Sequence, residues 1–371
     1  MAYQPSIDHA RLAPLIADLE RLRQEIEVIE IAEPLARWLR RQVEARGAHM
    51  STSIEGNPMT EVEVQDLFAR HRETLDRAER ENLDYRDAAR FARQVANDFK
   101  AQVDSGLIRA LHYLVIRSTY PWDSAAQWRV RQNRVADGAG RTVYMPPPPG
   151  EVSARMDDLV AWLRAQRMKE HALVLAAVAH LEFVNVHPFD DGNGRVARAL
   201  TTYFAEWGGW GLGGLVSSEA VFGRDRQAYY RALSNAGLRY EERSRDVTGW
   251  CEWVLRHFAI EMATAIGIVE RWRDLFEDVP QTTWSRVFVS GYIYLAVSGS
   301  ASRADYVAAT RLSPATAVKQ LNFMVQSGFA RREGQGRSTR YIWLDDSATT
   351  FAAEAYADAL NRFPEPQRPG R

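Results

Sequence analysis

The sequence has a single cysteine, Cys251, among 371 residues. An intrachain disulfide is excluded, and nothing in the cysteine usage points to an oxidising compartment. No stretch approaches the roughly 20 apolar residues of a membrane span, and the opening residues MAYQPSIDHARLAPLIADLERL carry acids where a secretory leader has an apolar run. These absences lead us to expect a cytoplasmic protein with no membrane partner. A net charge of −1 gives no global attraction to nucleic acid or anionic lipid, so any basic surface must be local. Alternating β-branched runs are confined to two short regions, which excludes an all-β architecture.

What fills the chain instead is helical periodicity. Apolar residues recur every three or four positions from Ile7 to about Arg46, and Thr60 with Glu63 makes a capping-box pattern after the punctuation EGNPMT. The run from His171 to Val186 is apolar almost all round, as expected of the buried central helix of a bundle. The first β signal is WRVRQNRVADGAGRTVYMPPPPG, two alternating runs flanking a glycine-containing loop, with the exit held extended by four prolines. A break is expected at EDVPQTTW. Beyond it, SRADYVAATRLSPATAVKQLNFMVQSGFARREGQGRSTRYIWL has the order helix, turn, helix with Ser313 as N-cap and Pro314 at its first position, then hairpin. That is the order of a winged helix-turn-helix. Residues 302–343 hold seven Lys/Arg against two acids, a local excess of +5.

The fold expected is mainly α, a helical bundle with a β-hairpin plus a small C-terminal winged helix-turn-helix domain. The expected segments are 1–95, an N-terminal helical region; 96–276, the core; 277–345, the winged helix; and 346–371, a partly disordered tail.

Chemistry concentrates in HPFDDGNGRVAR, His187 to Arg198, directly after the apolar helix. Gly192, Asn193 and Gly194 make a tight turn from which a new helix starts, so their N–H groups and the positive helix end converge where an anion fits. Arg195 and Arg198 are three apart, hence on one helix face, and suit a polyphosphate. Asp191 would repel a bare phosphate but suits Mg²⁺ bridging phosphate oxygens. His187 stands at the helix end as a candidate proton acceptor. Metal, anion nest and base together describe attack of an alcohol on phosphorus.

The same twelve residues fit H-x-F-x-[D/E]-G-N-G-R-x-x-R without a mismatch, and here the chain resembles the Fic (Fido) family, most of whose members transfer AMP from ATP to a hydroxyl of a target protein. The resemblance implies His187 as general base, Phe189 as the anchor of the loop, Asp191 as the Mg²⁺ ligand, and Gly192, Asn193 and Gly194 as the nest, with Asn193 directed at the α-phosphate. It assigns Arg195 to the α/β region of ATP and Arg198 to the γ-phosphate.

STSIEGNPMT is similar to the family's inhibitory pattern [S/T]-x-x-x-E-[G/N], with Ser51, Glu55 and Gly56 in place. The resemblance implies that Glu55 pairs with Arg198 and keeps the γ-phosphate out; the bland alternative is a solvated acid at a helix end. Gly56 suits the left-handed position that ends a helix. The hairpin is similar to the family's flap over the site, with Val143, Tyr144 and Met145 at the edge expected to pair with an extended target segment. Its register is open, because Ala126-Gln127-Trp128-Arg129 lacks the glycine common before the family's aromatic-Arg pair. AYYRAL resembles the adenine-side element, so Tyr229 or Tyr230 is a candidate for lining base or ribose. Two aromatics on a core-facing helix are the alternative.

Three functions stay in play from the sequence. The first is an autoinhibited protein adenylyltransferase using ATP and Mg²⁺ on a Ser, Thr or Tyr of a target protein, with self-modification and a homodimer among its expectations. The second is a nucleotide-sensing regulator whose winged helix binds DNA or a protein partner. The third runs the enzyme in reverse, with Glu55 helping to remove AMP.

Overall fold

The computed structural model describes residues 2–29, 31, 33–69, 74–98, 102–120, 125–136, 140–237, 239–277, 291–292, 294–296, 298–344 and 347–365. The chain forms two compact units. One comprises Met1–Arg23 with Arg41–Glu261, the other Gln24–Arg40 with Met262–Arg371. Among the described residues no helix is long and apolar enough to cross a membrane.

The larger unit is a helical bundle. The chain order up to Glu277 is α1 (His9–Glu27), α2 (Glu33–Ile54), α3 (Glu61–Ala69), α4 (Arg77–Ala96), α5 (Ser105–Ile116), β1 (Val135–Ala136), β2 (Thr142–Tyr144), α6 (Val152–Gln166), α7 (Ala172–Val186), α8 (Asn193–Trp207), α9 (Ala220–Gly223), α10 (Arg226–Ala236) and α11 (Thr248–Glu277), the end of α1, the start of α2 and the second half of α11 belonging to the smaller unit. Every residue of α7 is buried, as its all-round apolar sequence requires, and it packs against α6 and α8. α4 packs against α8 and α5, and its buried residues include Ala88, Ala89, Ala92 and Ala96, small side chains that allow a close approach. Local signals start these helices where expected. The Thr60 N–H donates to Glu63 Oε2 (2.8 Å) and the Glu63 N–H to Thr60 Oγ1 (3.3 Å), a reciprocal cap before α3.

β1 and β2 pair antiparallel, Val135 opposite Tyr144 and Ala136 opposite Thr142, with an irregularity between the two pairs. Of the expected loop, 137–139 lie outside the described residues, as does EDVPQTTW from 278 onward.

In the smaller unit, strand Ser300–Ser302 leads into helix Arg303–Thr310, whose N-cap Ser302 forms a capping box with Asp305. Arg311 then turns in the left-handed conformation, and helix Pro314–Gln326 begins from Ser313, whose hydroxyl accepts the Thr316 N–H. Strands Ala330–Glu333 and Arg340–Trp343 follow, and the antiparallel sheet has 340–343 in the middle between 300–302 and 330–333. Tyr306 Oη donates to Gln320 Oε1 (2.8 Å) in the buried seam between the two helices. One expectation needs correction. Residues Ser347–Arg362 of the presumed tail form a helix, because Phe351, Ala355, Ala359 and Phe363 recur at helical spacing; Ala355, Ala359 and Phe363 are buried, and Phe351 meets Trp272 edge to face. Residues 366–371 lie outside the described residues.

Candidate active site

The turn between α7 and α8 is held from several sides. α7 ends at His187, whose backbone is left-handed (φ 49°, ψ 60°), an uncommon conformation for a residue with a Cβ. Phe189 is fully buried and stacks flat on His112 (3.6 Å between ring centres) with Trp128 beside it. His112 of α5 accepts the Ala126 N–H at Nδ1, which leaves Nε2 as the donor to the Asp191 carbonyl (3.1 Å). Burial pushes the His112 imidazole down to about 4, in keeping with a neutral ring. Gly192 caps α8 at φ +78°, and a Cβ there would press on Ile116 Cγ2 at 2.9 Å, so both backbone and space demand glycine.

Asn193 closes the loop with its side chain. Its side-chain oxygen accepts the Phe189 N–H (2.9 Å) and its amide donates one N–H to the Phe189 carbonyl (2.8 Å), so both ends help to close the loop. No side chain caps α8, and the N–H groups of its first turn form the nest. Asp191 accepts the Gly192 N–H at Oδ1 (2.6 Å), and its Oδ2 lies 3.4 Å from Arg195 Nη2, with the carboxylate nearly half exposed. The buried Arg195 retains an Nε with no hydrogen-bond partner. An unpaired buried guanidinium N–H beside an exposed carboxylate fits a phosphate with its magnesium. Among the described residues no cluster of three or more His, Cys, Asp or Glu could hold a metal unaided.

Arg198 is fully buried and fully engaged. Its Nε donates to Ser51 Oγ (2.8 Å), and its Nη2 donates to the Ser51 carbonyl (2.9 Å) and to Glu55 Oε1 (2.7 Å). Burial pushes the Glu55 carboxyl up, but the Arg198 charge and hydrogen bond outweigh it and leave the group below its ordinary range. Glu55 also covers the nest: a Cβ at Gly194 would run into its Oε1. Gly56 follows at φ +94°, ending α2. The expected Ser51–Glu55–Arg198 constellation is thus assembled, and Glu55 is not a solvated end acid alone, although 40% of its side chain stays exposed.

His187 Nδ1 lies 3.3 Å from the Val184 carbonyl, which favours a proton on Nδ1 and a lone pair on Nε2. Burial lowers the imidazole to about 4, so it is neutral at pH 7. Its own carbonyl is gripped by Arg129, a residue whose role the sequence left open: Nε donates to the His187 carbonyl (2.8 Å), Nη2 to the Pro147 carbonyl (2.5 Å), and the Arg129 N–H to the Pro188 carbonyl (2.9 Å). Asn133 adds a bond from Nδ2 to the Phe189 carbonyl (3.0 Å). The hairpin root and the histidine are therefore one hydrogen-bonded body.

The hairpin and adenine-side residues divide. Val143 and Met145 are exposed, at 60% and 50%, but Tyr144 turns inward, and its hydroxyl lies 2.7 Å from both the carbonyl and the side-chain oxygen of Asn185. It anchors the strand rather than offering a side chain to a target, because alternate residues of a strand face opposite ways. Tyr229 is likewise a core residue, buried, with its hydroxyl 2.9 Å from His180 Nε2; burial raises it further from ionisation. Its side chain lies in the core, beside the Arg198 guanidinium, rather than on the surface. Tyr230 is the exposed one, with the Arg226 guanidinium 5.6 Å above its ring. Arg226 also reaches the Ser53 carbonyl (3.3 Å), which brings α10 beside the end of α2 that carries Glu55.

Sequence reading missed His112, Asn133 and Asn185. Each works through a partner far along the chain, and no local pattern marks it.

Residues 102–205 match the Fic/DOC family. The Protein adenylyltransferase Fic of Drosophila willistoni is 27% identical over 202 residues, covering 53% of this chain and 38% of that protein. That of Drosophila virilis is 26% identical over 202 residues, covering 53% and 39%. The chain thus spans about two fifths of the length of these curated relatives. Among solved structures, a Fic family protein from Desulfovibrio desulfuricans G20 superposes with a TM-score of 0.58 at 24% identity, covering 92% of this chain and 98% of that one. Fic-1 of C. elegans superposes at 0.52 with 21% identity, covering 70% and 72%. These likenesses show the fold.

Proposed function

From the premise that this chain belongs to the Fic/DOC family, we propose that it is a protein adenylyltransferase, held back by Glu55. The observation that carries the reading is the grip of Ser51 and Glu55 on Arg198 at the mouth of an uncapped helix, with a neutral His187 at the same turn. In the reaction, the hydroxyl oxygen of a target serine, threonine or tyrosine bonds to the α-phosphorus of ATP. The bond from that phosphorus to the bridging oxygen breaks, pyrophosphate leaves, and His187 takes the hydroxyl proton at Nε2. The first-turn N–H groups of α8 and Arg195 hold the phosphates, and Asp191 is the carboxylate placed for magnesium. The ion, when bound, neutralises phosphate oxygens. Arg198 is reserved for the terminal phosphate, and Glu55 occupies it first.

The relatives named protein adenylyltransferase support this reading at family level. The exposed part of Glu55 supports a block that can be displaced, since a carboxylate sealed in the core would not yield to a nucleotide. The target is a protein with an accessible hydroxyl in an extended segment, which would lie along the β2 backbone beside Val143 and Met145.

The test is transfer of label from ATP marked at the α-phosphate to proteins of a cell lysate, and to the chain itself, with and without Glu55→Gly. Releasing Arg198 from one charge-assisted bond is expected to raise labelling roughly tenfold or more. No labelling by either form overturns the reading; equal labelling overturns the role of Glu55.

A further inference from the structure

We infer that the smaller unit carries a duplex-DNA-binding face, made by helix Pro314–Gln326 and the hairpin 330–343 that follows it. This goes beyond the transferase reading and does not depend on it. The outward residues of the helix are Ala315, Thr316, Lys319, Asn322 and Gln326, all exposed, while Ala317, Gln320, Leu321 and Met324 face the core. The helix contains no acid. Arg311 at its entry turn and Arg331, Arg332 and Arg340 in the hairpin are also exposed. Between 302 and 343 the acids are Asp305, spent in its capping box, and Glu333, which pairs with Arg331 at 2.7 Å and leaves Arg311, Lys319, Arg332 and Arg340 as the principal cations of the face.

The chemistry of the outward face decides the class of partner. A helix that docks on protein shows apolar anchors at three- and four-residue spacing. Here Ala317, Leu321 and Met324 are turned inward, Val318, Phe323 and Val325 are half-buried along the flanks, and the fully exposed set is small or hydrogen-bonding. Lysine and asparagine are side chains that read base edges, and a helix of about 10–12 Å diameter fits the roughly 12 Å major groove. Arginines on a hairpin beside it suit the flanking phosphates. With +5 within 302–343 and −1 for the whole chain, the remainder carries −6, so this segment is a local concentration of positive charge in a chain that is otherwise net acidic. The buried Tyr306–Gln320 bond fixes the angle between the two helices and with it the presentation of the second.

The test uses the full chain and a fluorescent duplex of about 30 base pairs of randomised sequence, titrated between about 50 and 200 mM salt. Binding is expected that weakens steeply, with a log–log slope near −3 if roughly three or four phosphates are neutralised. Lys319→Glu and Arg332→Glu are expected to weaken it at least tenfold and flatten the slope. Asn322→Ala is expected to leave the slope intact and change which sequences are enriched from the pool. Thermal unfolding of each variant shows whether it is folded; should either charge reversal unfold, Asn322→Ala with its selective effect still decides. Absence of duplex binding at the lower salt, or binding that the folded charge reversals leave unchanged, overturns the inference. So would a protein captured by this face from a lysate in the absence of DNA binding.

Discussion

The turn from His187 to Arg198 and the hairpin from Arg129 to Pro149 sit against one another, yet they are built by opposite means. The turn is closed chiefly from within: Asn193 bonds both polar atoms of the Phe189 backbone, Gly192 supplies a left-handed backbone angle and Phe189 plugs the core, while His112, Arg129 and Asn133 brace its carbonyls from outside. The hairpin holds by its root, through Arg129, Asn133 and Tyr144, each reaching backbone 41 to 58 residues away. A self-closed turn can keep a nucleotide site rigid while the strand that would meet a target keeps exposed edges. Chemistry and target choice are thereby assigned to different kinds of structure.

Four measurements break or sharpen that contrast. The largest effect is expected from His187→Ala, which removes the proton acceptor from the turn; transfer by the Glu55→Gly background should fall roughly 10²–10⁴-fold with nucleotide binding retained. A fall in nucleotide affinity to match would place His187 among the phosphate holders instead. Arg129→Met comes next. It strips a buried donor from the carbonyls of His187 and Pro147 and should lower stability by about 3 kcal/mol, measured by denaturant titration, with loss of transfer beyond what unfolding explains. Tyr144→Phe removes only the bonds to Asn185. One hydrogen bond is worth about 1 kcal/mol, so KM for the target should rise about fivefold with kcat nearly kept; an equal drop in kcat would show that the strand anchor serves the turn.

The mildest test is pH. Burial holds His112 and His187 near 4 in the fold, against about 6.5 for an unfolded histidine, so the unfolded chain binds more protons between those values. Stability is therefore full above about pH 6.5 and declines as pH falls toward 4. The thermal midpoint should drop between pH 7 and pH 5, and His112→Asn should blunt the drop. A midpoint that rises on acidification contradicts the neutral assignment.

The same contrast explains what could be read from the sequence. The turn was legible because glycine, aspartate and arginine act there through fixed spacing along one helix start. Ser51 and Glu55 were legible because four residues is one helical turn. The bonds of the Asn193 side chain to Phe189 were not legible, since the spacing that places it at the nest says nothing about which way its amide turns. Tyr229 and Tyr230 are adjacent on α10 and could not both face a ligand; only packing against His180 and Trp250 tells them apart.

The left-handed backbone at His187 has a cost of its own, about 1 kcal/mol for a residue with a Cβ. Glycine there would shed that burden and the proton acceptor together. Selection for heat resistance alone would thus drift toward inert proteins, and any thermostabilised form should be sequenced at this position before its silence is blamed on folding.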